Sequence, residues 1–497
     1  MGSKQASIVV DLRTGKNVIH VPDLIAILSA AGYKPDVALK AYGGETLNLA
    51  RKAAREGCGL VIGYGGDGTL NDVVNGVMNA GGKSLIGDIP GGTYNEWAGV
   101  MGLPEDPVKA TLALVESEAR RIDLGHIEVQ NLTLPGRDGQ GSQTMRQGQK
   151  QSKQLPQSRQ YFFLHVGLGA DATFMAHISK PLKYRFGHLA FDLAAIKELP
   201  EVHPFPVEVQ VMSDRGEGAM KWQGEAWQVI VSKTRYYAGN VDIAPDAYLD
   251  DGLLNVCVIT ADSPLKTAEE ALSFLVRRKL DEKMTRYFRG SQLSIRVPAA
   301  TSMQVDGSIV KLEDYVCKSE RDALRQVNNA GEVMVSYRFD AVPAAVRMAV
   351  PRTFNGTLFQ TAAHTGQGRG PRAEQSEKQT PSVQRNDMQQ GEFQGGNQQG
   401  NGSLQQQEYR VTVIGVAHHP AKPDASIIAG KYEKPDTDET EVVAVRVNDR
   451  TPVLRQEDER VPPTEVQALQ EGQEIVVVGK KSKRGVIRAR GIRITHE

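Results

Sequence analysis

The residues Gly63-Tyr64-Gly65-Gly66-Asp67-Gly68-Thr69 follow a short apolar run, Leu60-Val61-Ile62, and precede a helical pattern that begins near Leu70. Glycines at a strand-to-helix turn let backbone N–H groups come close to phosphate oxygens, and the helix adds the positive end of its dipole. An acid in such a loop needs a reason. Asp67 could orient a metal ion or accept a proton from a hydroxyl nucleophile. The same segment also reads as a plain Gly-rich turn with Asp67 as a helix cap. It does not follow GxxxxGK[ST], so it is not a P-loop. A second turn, Pro90-Gly91-Gly92-Thr93-Tyr94-Asn95-Glu96-Trp97, comes one βα unit later, after Leu85-Ile86. In a parallel sheet both turns fall on one edge. Thr93 and Asn95 can then donate to the same nucleotide.

The elements that must position these turns alternate over residues 6–124. Strand patterns at Ile8–Val10, Val37–Leu39, Leu60–Ile62 and Ser84–Ile89 are separated by helical patterns at Leu24–Ala31, Thr46–Glu56 and Leu70–Asn79. Repeated β-α-β predicts a parallel sheet with helices on both faces. Residues 161–354 read as short strands: Tyr161–Val166, Pro206–Met212, Ala226–Ser232, Leu253–Ile259, Gln292–Val297, Ser302–Val305 and Val333–Phe339. A basic amphipathic helix is expected over Leu265–Phe288. The fold class is therefore α/β plus all-β. We expect an N-terminal parallel α/β nucleotide-binding domain (1–124), a β-sandwich (125–354) and a small OB-like β-barrel (409–497). The Gln-, Gly- and Ser-rich stretches 131–160 and 355–408 hold too little apolar surface to offset ordering entropy. They are expected to be a disordered insertion and a disordered linker.

In order and spacing, the motifs resemble the diacylglycerol kinase catalytic family, the lipid kinases that include bacterial diacylglycerol kinase and the sphingosine kinases. The family's GGDGT-x-N-[ED]-V-x-N-G stands here as Gly65 to Gly76, and its P-x-G-T-x-N-D-F-A as Pro90 to Ala98. Gly167-Leu168-Gly169-Ala170-Asp171-Ala172 is similar to G-x-G-x-D-A. Ile243 to Leu254 is similar to I-A-P-x-A-x-L-D-D-G-L-L, and Val305-Asp306-Gly307 resembles the late V-D-G-E. The resemblance implies ATP on Gly65, Gly66, Asp67, Gly68, Thr69 and Asn71, with Thr93, Asn95 and Gly15 nearby. It implies Mg²⁺ as cofactor. Asp72 would help hold catalytic Mg²⁺, and a structural Mg²⁺ would sit on the Asp251 side chain with the carbonyls of Tyr248 and Leu253.

The departures bear on mechanism. Ser308 stands where bacterial members carry the Glu that accepts the proton, which leaves Asp67 and Asp306 as candidates. Glu96-Trp97 replaces Asp-Phe, and Lys233-Thr234 falls where relatives usually carry Asn-Gly.

The chain has 497 residues, with 59 Lys+Arg against 59 Asp+Glu, 40% hydrophobic residues and 3 Cys. Length suggests about three domains at roughly 150 residues each. Zero formal charge argues against nucleic-acid binding through global charge. The basic hairpin at Lys480–Arg493 reads as solvated, and His418-His419 as an exposed pair. Scattered cysteines fit a reducing compartment, and no apolar run is long enough to span a membrane. Together with these features, the resemblance implies a cytoplasmic ATP- and Mg²⁺-dependent lipid kinase that meets its membrane lipid substrate transiently at the surface, with diacylglycerol the leading acceptor. A homodimer is left open. The alternatives are a soluble-substrate kinase of the NAD kinase type, and a lipid- or nucleotide-binding regulator weakened by Ser308.

Overall fold

The computed structural model describes residues 4–12, 17–40, 44–135, 142–146, 159–177, 203–212, 220–237, 241–260, 285–327, 332–354, 356–360, 407–435, 437, 439–455 and 459–495. The first part alternates β1 (Lys4–Val10), α1 (Asn17–Ala30), β2 (Tyr33–Leu39), α2 (Glu45–Arg55), β3 (Leu60–Gly65), α3 (Asp67–Met78), β4 (Leu85–Pro90), α4 (Glu96–Met101) and α5 (Pro107–Val115). The strands pair in parallel in the order β2-β1-β3-β4. All six residues of β3 are buried, as expected for a parallel strand covered on both faces. Local chemistry sets the helix ends. Gly57 follows α2 at φ +83°, the left-handed stop that favours glycine. Asp106 caps α5 by accepting from the Lys109 N–H at 2.9 Å, with Pro107 as the first helical residue.

The second part runs β5 (Glu118–Pro135), β6 (Ser142–Arg146), β7 (Tyr161–Phe162), β8 (His165–Gly169), α6 (Ala170–His177), β9 (Phe205–Met212), β10 (Met220–Ser232), β11 (Tyr236–Tyr237), β12 (Val241–Asp242), β13 (Leu254–Thr260), β14 (Thr285–Gly290), β15 (Gln292–Pro298), β16 (Met303–Val305), β17 (Ser308–Val310), α7 (Lys318–Arg325) and β18 (Met334–Val350). Its strands pair antiparallel. Alternate residues such as Val207 and Val209, Val229 and Val231, and Ile295 and Val297 point into a shared core.

β18 joins the two parts. Its first half pairs with β15, nearly its whole length pairs with β5, and Arg347 and Met348 pair in parallel with β4. A register shift between Val342 and Val346 marks the crossing. A cut at 124/125 would therefore fall inside β5, and the strand at the end of the second part lies in the sheet of the first.

Three other expectations change. Residues 131–135 and 142–146, read as part of a disordered insertion, pair as a hairpin between β5 and β6; residues 136–141 and 147–158 lie outside the described residues. Of the helix expected over Leu265–Phe288, residues 265–284 lie outside them, and 285–288 belong to strand β14, paired with β13. Of the linker expected over 355–408, residues 356–360 pack back on the chain. Leu358 is buried and its carbonyl accepts from the Leu249 N–H at 2.8 Å. Gln407 and Glu408 already pair in β19, and 355 and 361–406 lie outside the described residues.

The C-terminal part is a closed barrel of five strands, β19 (Gln407–His419), β20 (Lys422–Glu433), β21 (Thr440–Val447), β24 (Glu474–Lys481) and β25 (Val486–Ile494), with the short β22 (Val453–Leu454) and β23 (Arg460–Val461) before β24. The ring order is β19-β20-β21-β25-β24, and only the β21–β25 closure is parallel. This is the OB arrangement. Ile428, Val443, Val445 and Ile487 fill the barrel. Their alternates Ile427, Ala429, Ala444 and Val486 are buried outward, against Leu24 and Ile27 of α1 and Leu112 of α5. OB barrels commonly take oligonucleotides on the face of their second and third strands. Here part of that face, on β20 and β21, is packed against α1 and α5. His418 is held by Glu116 rather than standing free (Nδ1 to Oε1 2.8 Å), and His419 is buried beside Gly32. Lys481 of the basic hairpin pairs with Glu441.

Candidate active site

The two glycine turns meet. β3 and β4 are neighbours, so Gly65 and Gly91 leave the sheet side by side, and the Gly91 N–H donates to the Gly65 carbonyl at 2.8 Å. A Cβ on Gly92 would collide with the Gly66 Cα. Glycine at both places is thus a demand of close backbone approach. Asn95 sits in the left-handed region (φ 49°) and closes its own turn. Its Oδ1 accepts from the Gly92 N–H at 2.8 Å and its Nδ2 donates to the Gly92 carbonyl at 3.1 Å. It shapes the second turn, while Thr93 stays partly exposed upon it. Thr69 Oγ1 donates to Asp11 Oδ2 at 3.2 Å, an oxygen that also receives Lys40 Nζ at 3.2 Å. The first turn is thereby tied to the end of β1. Gly15 lies outside the described residues.

The rest of the first motif serves assembly. Asn71 has 0% exposure and donates through Nδ2 to Asp306 Oδ2 at 2.7 Å and to the Tyr161 carbonyl at 2.8 Å. Asn75 donates to the same carbonyl at 2.9 Å and accepts from the Tyr161 N–H at 2.9 Å. These two asparagines clamp α3 onto β7. Gly76 lets α2 approach, since a Cβ there would stand 2.5 Å from the Leu47 carbonyl. Asn71 is therefore an assembly residue rather than a nucleotide contact.

Asp306 also leaves the list of proton acceptors. It has 0% exposure, and each oxygen holds two donors: the Leu164 and His165 N–H groups at 3.0 and 2.9 Å on Oδ1, and Asn71 Nδ2 at 2.7 Å and the Phe163 N–H at 3.0 Å on Oδ2. No lone-pair direction remains for a substrate proton. Its turn nevertheless reaches the first loop. Asp306 and Gly307 have positive φ (42° and 71°), which brings Ser308 over Gly68, where a Cβ would collide with Ser308 Oγ. The position of the family's Glu thus overlies the first glycine turn, and a hydroxyl occupies it.

Asp67 remains, partly exposed at the start of α3. Its Oδ2 accepts from the Glu96 N–H at 2.9 Å and its Oδ1 from the Trp97 N–H at 3.0 Å, so it grips the first turn of α4. Glu96 stands beside it. Its Oε1 is buried without a hydrogen-bond partner, 3.9 Å from the equally unpartnered Nδ1 of His165. Burial, then Asp67 and Asp306, push the Glu96 carboxyl well above the usual carboxylate range. Burial and Asp67 do the same to Asp88. Burial lowers His165 to about 3, so it is neutral.

The two expected metal positions hold protein cations. Arg159 Nε donates to Asp72 Oδ1 at 2.8 Å, and its side chain also reaches the Gly68 carbonyl at 3.4 Å. At the Asp-Asp-Gly turn, Lys233 Nζ, with 0% exposure, lies 3.0 Å from Asp251 Oδ1, 2.8 Å from the Leu253 carbonyl and 3.1 Å from Asp123 Oδ2. Arg289 adds a bond to Asp251 Oδ2 at 2.7 Å. Burial alone would raise the Asp251 carboxyl, but Lys233, Arg289 and the Leu253 N–H hold it below its ordinary value. Two of the oxygens expected on a structural Mg²⁺, those of Asp251 and Leu253, face this ammonium. The residues present do not fit the ion. Asp171 likewise serves structure. Its Oδ2 accepts from Tyr237 Oη at 2.8 Å and Gln304 Nε2 at 3.0 Å.

Sequence reasoning missed Arg159, His165, Glu96 as a site residue, and Asp123. Glu96 and Lys233 carried a signal, each being a departure inside a recognised motif. Arg159 and Asp123 lie outside every motif and are placed only by the fold.

Residues 8–127 match the family model of the diacylglycerol kinase catalytic domain, and residues 165–316 match the YegS C-terminal NAD kinase beta sandwich-like domain. A diacylglycerol kinase of Bacillus subtilis (strain 168) is 25% identical over 308 residues, covering 61% of this chain and 89% of the relative. One from Staphylococcus saprophyticus is 24% identical over 309 residues, covering 61% and 88%. In fold, the chain is similar to the crystal structure of a provisionally named diacylglycerol kinase from Bacillus anthracis str. Sterne, at TM-score 0.51 and 16% identity over 71% of this chain and 97% of that one. In its catalytic domain and the sandwich paired with it, the chain is thus similar to the bacterial diacylglycerol kinases.

Proposed function

We propose that this chain transfers the γ-phosphoryl group of ATP to the hydroxyl of a membrane lipid, with diacylglycerol as acceptor and phosphatidic acid as product. The reading is carried by one observation: the turns at Gly66 and Gly92 touch each other, and the Asp306-Gly307-Ser308 turn lies over Gly68. The N-terminus of α3 and the glycine backbone would cradle the phosphates. Asp67 is the acceptor for the hydroxyl proton. Glu96 lies next to it, its carboxyl pushed well above the usual range by burial and by Asp67. Magnesium would arrive with the ATP triphosphate, since no cluster of three or more potential ligands is preformed among the described residues. It would neutralise phosphate charge during transfer. Asp72, already paired with Arg159, is not assigned to it.

No helix among the described residues is long and apolar enough to cross a membrane. The lipid would be drawn from a membrane surface. β14 exposes Arg286 and Tyr287 on the sandwich, and basic residues near an anionic surface contribute about 1 kcal/mol each.

The test is transfer of radiolabel from γ-labelled ATP over a panel of diacylglycerol vesicles, sphingosine vesicles and NAD. Label in phosphatidic acid, lost in Asp67→Asn, is the expected result. Label in NAD alone, or in no acceptor, would overturn the reading.

A further inference from the structure

The cradle at the Asp-Asp-Gly turn is built as a cation site. Three oxygens from three places in the chain converge on one point: Asp123 Oδ2 from β5, Asp251 Oδ1 from the turn, and the Leu253 carbonyl just before β13. Both carboxylates are almost wholly enclosed, with side-chain exposures of 3% and 2%. Two such charges out of water demand compensation. Lys233 supplies it from the end of β10, and Arg289 from β14 supplies a second positive charge. Two carboxylates face two cations, so the group is neutral.

The cradle also sits at a structural joint. Asp123 Oδ2 accepts from the Gly252 N–H at 2.6 Å, and its Oδ1 accepts from the Ala344 N–H at 2.8 Å. Ala344 has φ 48° and lies in the register shift of β18, where that strand passes from the sandwich to the nucleotide-binding sheet. The Lys233 N–H donates to the Leu164 carbonyl at 2.8 Å, and the Leu164 N–H in turn donates to Asp306. The cation therefore holds the two halves of the cleft in register.

We propose that the Lys233 ammonium is a resident substitute for a divalent cation at this turn, and that the joint between the two halves is fixed in this chain without metal. An ammonium matches the distances of a hydrogen-bonded cation and carries its charge on a covalent tether. It cannot be chelated or exchanged. Truncating it leaves two buried carboxylates and a carbonyl around a hole, which is a site for Mg²⁺.

The test uses the full chain without nucleotide, melted in EDTA and in Mg²⁺. Wild-type protein should melt at the same temperature in both. Lys233→Ala should melt lower by roughly 10 °C in EDTA, as expected for breaking a buried ion pair, and should recover part of the loss in Mg²⁺. Lys233→Met, which fills the space without charge, should fall similarly and recover nothing. A Lys233→Ala protein that gains no more from Mg²⁺ than wild type overturns the proposal. Should neither variant fold, a crystal of the wild-type protein soaked in Mn²⁺ decides. Anomalous density at Asp251 overturns the substitution, and its absence there supports it.

Discussion

Two groups of enclosed carboxylates lie in this molecule, and their chemistry runs in opposite directions. In the cleft, Asp67, Asp88 and Glu96 crowd one another. Burial and like charge push Asp88 and Glu96 well above the ordinary carboxylate range. In the cradle, Asp123 and Asp251 face Lys233 and Arg289, and Asp251 is held below its ordinary value. Asp88 and Glu96 are enclosed much as Asp123 and Asp251 are. The partner decides. A carboxyl among its own kind is ready to take a proton or a cation, whereas one already paired with an ammonium is part of the frame.

That contrast can be broken at several points. The largest effect is expected at Asp67: Asp67→Asn should lower kcat by about 10²–10⁴-fold, the usual worth of a positioned base, with an unchanged circular dichroism spectrum. Full activity in that variant would move the acceptor role to Glu96. Next comes the frame. Asp123→Ala strands Lys233 and releases the Gly252 and Ala344 amides. It should reduce unfolding free energy by about 3–5 kcal/mol, measured by urea titration, and by more than Asp67→Asn, whose side chain still accepts one of the two α4 N–H groups.

Acid should also act on the cleft. His165 is held to about 3 in the folded chain against an ordinary 6.5. Its neutral form is favoured by folding, so its contribution is complete above pH about 6.5 and is lost as pH falls towards 3. His165→Gln should flatten the loss of stability over that window in an acid titration. The last two tests fall on the barrel's contact with the kinase domain. Ala429→Glu would bury a charge against α1 and α5 and should lower Tm. Lys109→Ala removes only the solvent-exposed pair with Glu471 and should leave Tm unmoved.

Much of the architecture was legible in the residues. Alternation of apolar runs with Gly-terminated helical patterns marks β1 to β4 and their helices, because a doubly covered strand and an amphipathic helix leave different periods in the chain. Period-two patterning marks the sandwich strands and, over Val411–Val416, Glu441–Val447, Glu474–Val478 and Val486–Ile494, the barrel strands β19, β21, β24 and β25. It did not mark β20, whose Ile427, Ile428 and Ala429 are all buried, one inward and two outward against the kinase domain. A strand packed on both faces loses its alternation, and only the docking partner explains why.

The site divides in the same way. The glycines at 65, 66, 68 and 92 announce close backbone approach, a steric requirement that few other residues can meet. Sequence alone therefore determined that two glycine turns lie at one sheet edge, and that an acid stands among them. The tasks of Asn71, Asn75, Asp306, Lys233 and Arg159 were decided only by tertiary structure. Each depends on a partner distant in the chain, such as Asp306 235 residues from Asn71, or Lys233 110 residues from Asp123. A polar side chain names what it can donate or accept; the fold chooses whether water, substrate or another part of the protein meets it, and burial sets how strongly.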